Sequence, residues 1–204
     1  MPRRPRVRRT ATPLAVLICC TTVLFAQGAP APNSQPNPYG KGVSWGQLPP
    51  GRVWGNTSAV DVGADGHVWV ADKCGALLCT GRTEDPVLEF DASGNMLKSF
   101  GSGLLISPHG IHIDRDGNVW GTDNGEANGK GQQVLKFSRD GRVLMTLGRA
   151  GVKGTDDSTF DQPTDVVVAN NGDIFVSDGH VNSRIVKFSK DGRFIKAWGT
   201  KGSG

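Results

Sequence analysis

Three short stretches of this sequence carry side chains equipped for chemistry at neutral pH. His109 stands in Pro108-His109-Gly110-Ile111, His180 in Ser177-Asp178-Gly179-His180-Val181-Asn182-Ser183-Arg184, and Lys73 directly follows Asp72. A neutral imidazole can ligate a metal or accept a proton, and an ammonium can hold a carboxylate. Each has a plainer reading: a histidine satisfied by backbone carbonyls at 109, an exposed loop histidine at 180, a solvated lysine at 73. His67 and His112 read as structural or exposed. Cys74 and Cys79 form a C-x4-C pair without neighbouring histidines, which favours a local disulfide over zinc. No nucleophile elbow, phosphate loop or zinc-protease helix motif is present.

The elements that must position these residues repeat three times. First strands read Ser58–Val62, His109–Ile113 and Thr164–Val168, followed by the turns Asp65-Gly66, Asp116-Gly117 and Asn171-Gly172. Second strands follow at His67–Val70, Asn118–Gly121 and Asp173–Val176, each closed by an aspartate at 72, 123 or 178. A second glycine turn joins the third and fourth strands, centred on Gly94, Gly141 and Gly192. Four short strands per repeat, joined by hairpin turns, predict the blades of an all-β propeller, at about 54–103, 104–154 and 155–204. Strands that alternate direction bring the start of the first strand and the loop after the second to one rim, so the loops 72–85, 123–132 and 178–183 are expected to carry function.

The repeats also act as an internal control. His109 takes a position filled by Ser58 and Thr164 in the other copies, so the blade itself does not require a histidine there. Asp72, Asp123 and Asp178 recur in every copy and are assigned to capping the following loop through backbone amides. Arg184 and Asn182 are expected to brace the loop that holds His180.

Charge narrows the partners. The chain of 204 residues carries a net charge of +4, but Arg3, Arg4, Arg6, Arg8 and Arg9 supply five positive charges in a stretch without acids; the remaining 18 basic residues face 19 acidic ones. Nucleic-acid binding therefore loses its support. The arginines, the apolar run Leu14–Ala26 and the small residues near Gly28 predict a secretory signal over 1–28 and a secreted or periplasmic protein without a stable membrane span after cleavage. An uncleaved anchor is the alternative; Ile18 before Cys19 argues against a lipoprotein, and Thr10-Ala11-Thr12 makes a poor twin-arginine match. The proline-rich stretch 29–53 reads as linker.

The three copies resemble NHL repeats. The stretch running from Pro108-His109-Gly110-Ile111 through Gly117-Asn118-Val119-Trp120, Gly154-Thr155-Asp156 and Gln162-Pro163-Thr164-Asp165 to Val176-Ser177-Asp178-Gly179 and Asn182-Ser183-Arg184-Ile185-Val186 is similar to peptidyl-α-hydroxyglycine α-amidating lyase, over about 54–204. The resemblance implies a six-bladed propeller, here with about three blades, that cleaves a carbinolamide into a peptide amide and glyoxylate. It implies a zinc held by three histidines from different blades, His109 being one, and a calcium facing the carbonyls of Val60 and Ile111. The substrate it implies is a peptide or other small carboxylate-bearing molecule.

This chain departs from the family pattern at identifiable places. The other two zinc histidines would fall beyond Gly204, so the chain is expected to be about half of a ring, with self-association as the structural alternative. The family's tyrosine general base is replaced by His180 and its arginine by Lys73, which puts both in catalytic roles by resemblance. The family disulfide is absent, with Asp161 and Val181 in its place, and Cys74–Cys79 substitutes locally. Two other functions remain open at this level: a non-catalytic module that binds a peptide or cell-envelope glycan through the rim loops, and a lactonase-like metal hydrolase.

Overall fold

A computed structural model describes residues 36, 40, 42 and 44–202. The expected signal over 1–28 and most of the linker lie outside the described residues. Val43–Gly204 forms one compact unit, and it contains three antiparallel sheets of four strands each. The first sheet holds β1 (Thr57–Val62), β2 (Val68–Asp72), β3 (Val87–Phe90) and β4 (Met96–Phe100). The second holds β5 (Pro108–Ile113), β6 (Val119–Ala127), β7 (Lys130–Phe137) and β8 (Val143–Leu147). The third holds β9 (Asp165–Val168), β10 (Ile174–Asp178), β11 (Arg184–Phe188) and β12 (Phe194–Trp198). Each is a meander in chain order, the blade that hairpin turns at short intervals dictate. Gly66 and Gly117 close such turns at φ of 81° and 78°, a region an L-residue enters only with strain. Among the described residues no helix is long and apolar enough to cross a membrane.

The apolar core lies between sheets. Trp69, Leu105, Ile111, Val119, Leu135 and Phe137 fill the seam of the first and second blades. Trp120, Val134, Phe160, Val166, Val176 and Phe188 fill that of the second and third. Trp69 and Trp120 hold the same place in successive repeats, and each is almost fully buried. Every such side chain contributes about 2–3 kcal/mol of transfer free energy. The two outward sheet faces keep the same composition without the cover: Val60 and Val62 are exposed on the first blade, Val167, Ile195 and Trp198 on the third.

Two expectations need correction. Residues 123–132 are not a loop: β6 runs to Ala127, β7 begins at Lys130, and the turn between them places Asn128 and Gly129 at φ of 52° and 70°. Asn-Gly with positive φ at both centres is the turn whose twist suits a hairpin, so the strands extend past Asp123. Residues 44–53 do not behave as linker. Gln47 donates its N–H to the Gly94 carbonyl at 2.8 Å, Leu48 packs on Val70, Leu88 and Phe90, and Trp45 and Trp54 lie against Phe90 with ring centroids 5.6 and 5.7 Å away. The two tryptophans, with Thr57, Val60, Val68 and Val70, line an apolar hollow of about 380 Å³ on the outward face of the first blade.

The repeated aspartates tie each blade at one rim. Asp72 accepts from the N–H of Gly55 (2.7 Å) and of Gly75 (2.8 Å). Asp123 accepts from Ile106 (2.8 Å), Ser107 (2.7 Å) and Gly125 (3.1 Å). Asp178 accepts from the N–H of Asp161 (2.9 Å), from Asn182 Nδ2 (2.6 Å) and from Arg184 Nε (2.9 Å). All three are fully buried. Each therefore staples the chain arriving at the first strand to the chain leaving the second, a wider role than capping one loop.

Removing one such carboxylate strands buried donors. Asp178→Ala is expected to cost about 3 kcal/mol in urea denaturation, because the Asp161 N–H loses its acceptor and the Arg184 guanidinium its carboxylate partner. Asp191→Ala, at an exposed turn, is expected to stay within about 0.5 kcal/mol of the parent.

Candidate functional site

At the stapled rim the structure brings His109 and His180 together. His109 is the second residue of β5, and its side chain crosses the seam toward the third blade. Its Nδ1 lies 2.8 Å from the Thr164 carbonyl oxygen. A carbonyl only accepts, so Nδ1 carries the proton and Nε2 is left as the free nitrogen. His180, exposed in the loop after β10, presents its own Nε2 at 3.2 Å from that of His109. The rings meet edge to face, with centroids 5.0 Å apart and planes at 87°.

The neighbouring residues explain why the two reach each other. Gly110 follows His109, and a Cβ there would lie 2.6 Å from Asp165 Oδ1 and 2.7 Å from the Thr164 carbonyl oxygen. Only a glycine lets β5 come this close to β9. The Gly110 N–H, turned from the usual ladder, is taken by Thr122 Oγ1 at 2.7 Å. On the other side of the seam, Asp178 holds Asn182 and Arg184. Asn182 also donates to the Gly154 carbonyl at 2.8 Å and Arg184 to that of Thr159 at 2.8 Å. The bracing expected of these two residues is present, and it sets the loop on which His180 rides.

Sequence reasoning missed Gln132. It is buried at φ 60°, donates Nε2 to the Gly125 carbonyl at 3.1 Å, and accepts the Gln162 N–H at 2.7 Å. It thus anchors Gln162-Pro163-Thr164, the segment that supplies the carbonyl for His109. The motif Gln162-Pro163-Thr164-Asp165 was legible as a motif, whereas its partner 30 residues earlier carried no signal of its own.

Lys73 lies at the same rim, half-buried at the end of β2. Burial pushes the Asp123 carboxyl above the usual carboxylate range; three backbone N–H groups and the charge of Lys73 oppose that rise. Asp123 is the register partner of Pro108, the residue before His109, which sets the lysine along the rim from the imidazoles. Val60 and Ile111 occupy equivalent positions on the innermost strands β1 and β5, the first side chain exposed and the second buried in a seam. Cys74 and Cys79 are joined in a disulfide, both buried within the 72–85 loop.

The other two histidines lie apart from this pair. His112 Nδ1 is 3.3 Å from Asp61 Oδ2 in the first seam. His67 belongs to a group with Asp65 and Glu89 whose ligand atoms lie within 4.8 Å of one another, close enough to hold a metal. A guanidinium already sits among them: Arg139 reaches Asp65 at 2.5 Å, His67 Nδ1 at 2.8 Å, and Glu89 as well. Hydrogen bonding to Glu89 makes Arg139 hold its proton more tightly than usual. That cluster is an ion-paired clasp between the first and second blades, with its cation supplied by the chain.

An NHL repeat profile matches residues 160–188, which span Phe160 to the end of β11. A mouse peptidyl-glycine alpha-amidating monooxygenase is 45% identical over 126 residues, covering 59% of this chain and 12% of that protein. A probable peptidyl-alpha-hydroxyglycine alpha-amidating lyase of Caenorhabditis elegans is 44% identical over 101 residues, covering 49% of this chain and 27% of that protein. This chain thus spans only a minor part of either relative. Among solved structures, a streptogramin B lyase superposes with a TM-score of 0.53 at 20% identity, over 78% of this chain and 45% of that one; this likeness shows the fold. The chain carries one NHL repeat match on a β-propeller fold and is similar to the amidating lyases over part of its length.

Two outcomes test this site. Gly110→Ala is expected to part β5 from β9, seen as loss of the protected His109 Nδ1 proton in imidazole NMR spectra. Lys73→Ala is expected to raise the Asp123 pKa further, since it deletes a cause that lowers it. A carboxyl-carbon NMR titration of Asp123 reads that shift.

Proposed function

We propose that the whole protein is an exported lyase that cleaves a peptidyl-α-hydroxyglycine into a peptide amide and glyoxylate at the stapled rim of a closed propeller. One observation carries the reading: His109 is anchored through Nδ1 to the Thr164 carbonyl and presents Nε2 where the blade requires only a small polar residue. Metal-ligating histidines are held in this way, with the second ring nitrogen donating to a carbonyl. The similarity to amidating lyases over more than half of this chain supports it independently. The outward faces of the first and third blades, apolar like the filled seams, support a ring with more blades.

The residues present fit a zinc ligand set in part. His109 offers a nitrogen of the fixed tautomer that zinc binds. Near the proposed calcium axis, Ile111 is buried in the first seam and Asp61 accepts the Ile113 N–H of the next blade at 2.8 Å. The resemblance to amidating lyases would place the backbone carbonyls of Val60 and Ile111 toward the axis, and carbonyl oxygen suits calcium. Zinc supplies Lewis acidity, lowering the pKa of the carbinol hydroxyl.

The chain's own contributions are binding and orientation. Lys73 holds the substrate carboxylate as a point charge, without the fork an arginine would offer. In the reaction the carbinol O–H loses its proton, the C–N bond breaks with its electrons going to nitrogen, and the amide nitrogen gains a proton. The carbinol carbon and its carboxylate leave as glyoxylate. The staples at Asp72, Asp123 and Asp178 hold the lysine and both imidazoles to one rim while this occurs.

The deciding assay is glyoxylate release from an α-hydroxyglycine peptide by the zinc-loaded protein. Equal yields of glyoxylate and peptide amide are expected, together with loss of turnover on chelation; turnover that survives chelation overturns the reading. Lys73→Ala is expected to raise KM about tenfold or more with a smaller fall in kcat, the mark of a lost carboxylate contact.

A further inference from the structure

We infer that His180 is a second metal ligand, so that His109 and His180 together form a two-imidazole chelate spanning the seam between the second and third blades. The inference deepens the channel-metal reading above and rests on it. It departs from the role of proton acceptor that resemblance assigns to position 180.

The geometry is that of two nitrogens sharing one ion. Nitrogens bound at 2.0–2.1 Å to a tetrahedral zinc lie about 3.3 Å apart, and the Nε2 atoms of His109 and His180 are separated by 3.2 Å. The His109 tautomer is set by the Thr164 carbonyl, which directs its Nε2 lone pair toward His180. Two such nitrogens can face each other at this distance only with a proton or a cation between them, and both being imidazoles, a borderline divalent transition metal is the cation they suit.

Preorganisation supports the same assignment. A chelate needs both ligands placed before the ion arrives, otherwise loop ordering consumes the binding energy. Here the loop with His180 starts at buried Asp178, which accepts from Asn182 Nδ2 at 2.6 Å and Arg184 Nε at 2.9 Å at the loop's far end and is itself fixed by the Asp161 N–H at 2.9 Å on the chain entering the blade. The strand with His109 is pressed onto β9 by the missing Cβ of Gly110. Tyrosine at position 180 would offer no comparable neutral ligand. A nitrogen whose lone pair is on the metal accepts no proton, so the base for the proposed reaction is a group other than His180.

The test uses zinc ion alone, with His67, His109, His112 and His180 as probes. Long-range proton–nitrogen NMR correlations of the imidazoles are recorded as zinc is added. The Nε2 resonances of His109 and His180 are expected to move together, with His67 and His112 unchanged. His180→Ala is expected to weaken zinc binding at least about tenfold by calorimetry while leaving the thermal unfolding midpoint of the metal-free protein in place, since the side chain is exposed. Movement of His109 alone, with affinity unchanged in His180→Ala, overturns the chelate and leaves His109 as the metal ligand. Movement of neither overturns both readings, as does a response confined to His67.

Discussion

A buried carboxylate at the end of every second strand is the constraint on which the remaining features depend. Asp72, Asp123 and Asp178 are sealed from water, where an unpaired charge would cost several kcal/mol. Each is matched by donors from two directions, the chain arriving at its blade and the chain leaving the second strand. The balance differs between blades. Asp178 gains a guanidinium, whereas Asp123 relies on backbone N–H groups, which fall short of offsetting its burial. In every case the rim that would otherwise fray into three unrelated loops becomes a rigid edge.

The seams decide what that edge can present. Side chains on both faces of an inner sheet are committed to its neighbours, as Trp69 and Trp120 show. What can vary without cost is the residue where the first strand begins. Ser58 spends that position on a hydrogen bond to the Pro108 carbonyl at 2.8 Å, and Thr164 on the Ser177 carbonyl at 3.0 Å. His109 makes the same kind of contact with one nitrogen and has another to spare. The site is thus a structural position extended by one ring atom, at a rim already held rigid.

The opposite side of the first seam shows how similar groups can be consumed by structure. Asp65, His67 and Glu89 resemble a ligand set by type and distance, yet Arg139 fills the space between them and locks the first blade to the second. A cation is required there to compensate the buried Glu89, and the chain provides one covalently. His109 and His180 have no such resident partner, and this difference in electrostatic completion separates a clasp from a site.

Much of this architecture was legible in the residues themselves. Alternating apolar strands and Asp-Gly or Asn-Gly turns are local signals, so three blades, the common rim and the odd histidine at 109 could all be read from spacing. The Asn128-Gly129 turn is equally local, but its strands continue beyond the length the other two repeats set. Packing of residues 44–53 was not readable, since a proline-rich stretch has no periodicity and its contacts with Phe90 lie far along the chain. The meeting of His109 with His180, 71 positions apart, was decided only by tertiary structure. It depends on the close approach that Gly110 permits and on the register in which two separately stapled blades dock, and neither is encoded within a window of neighbouring residues.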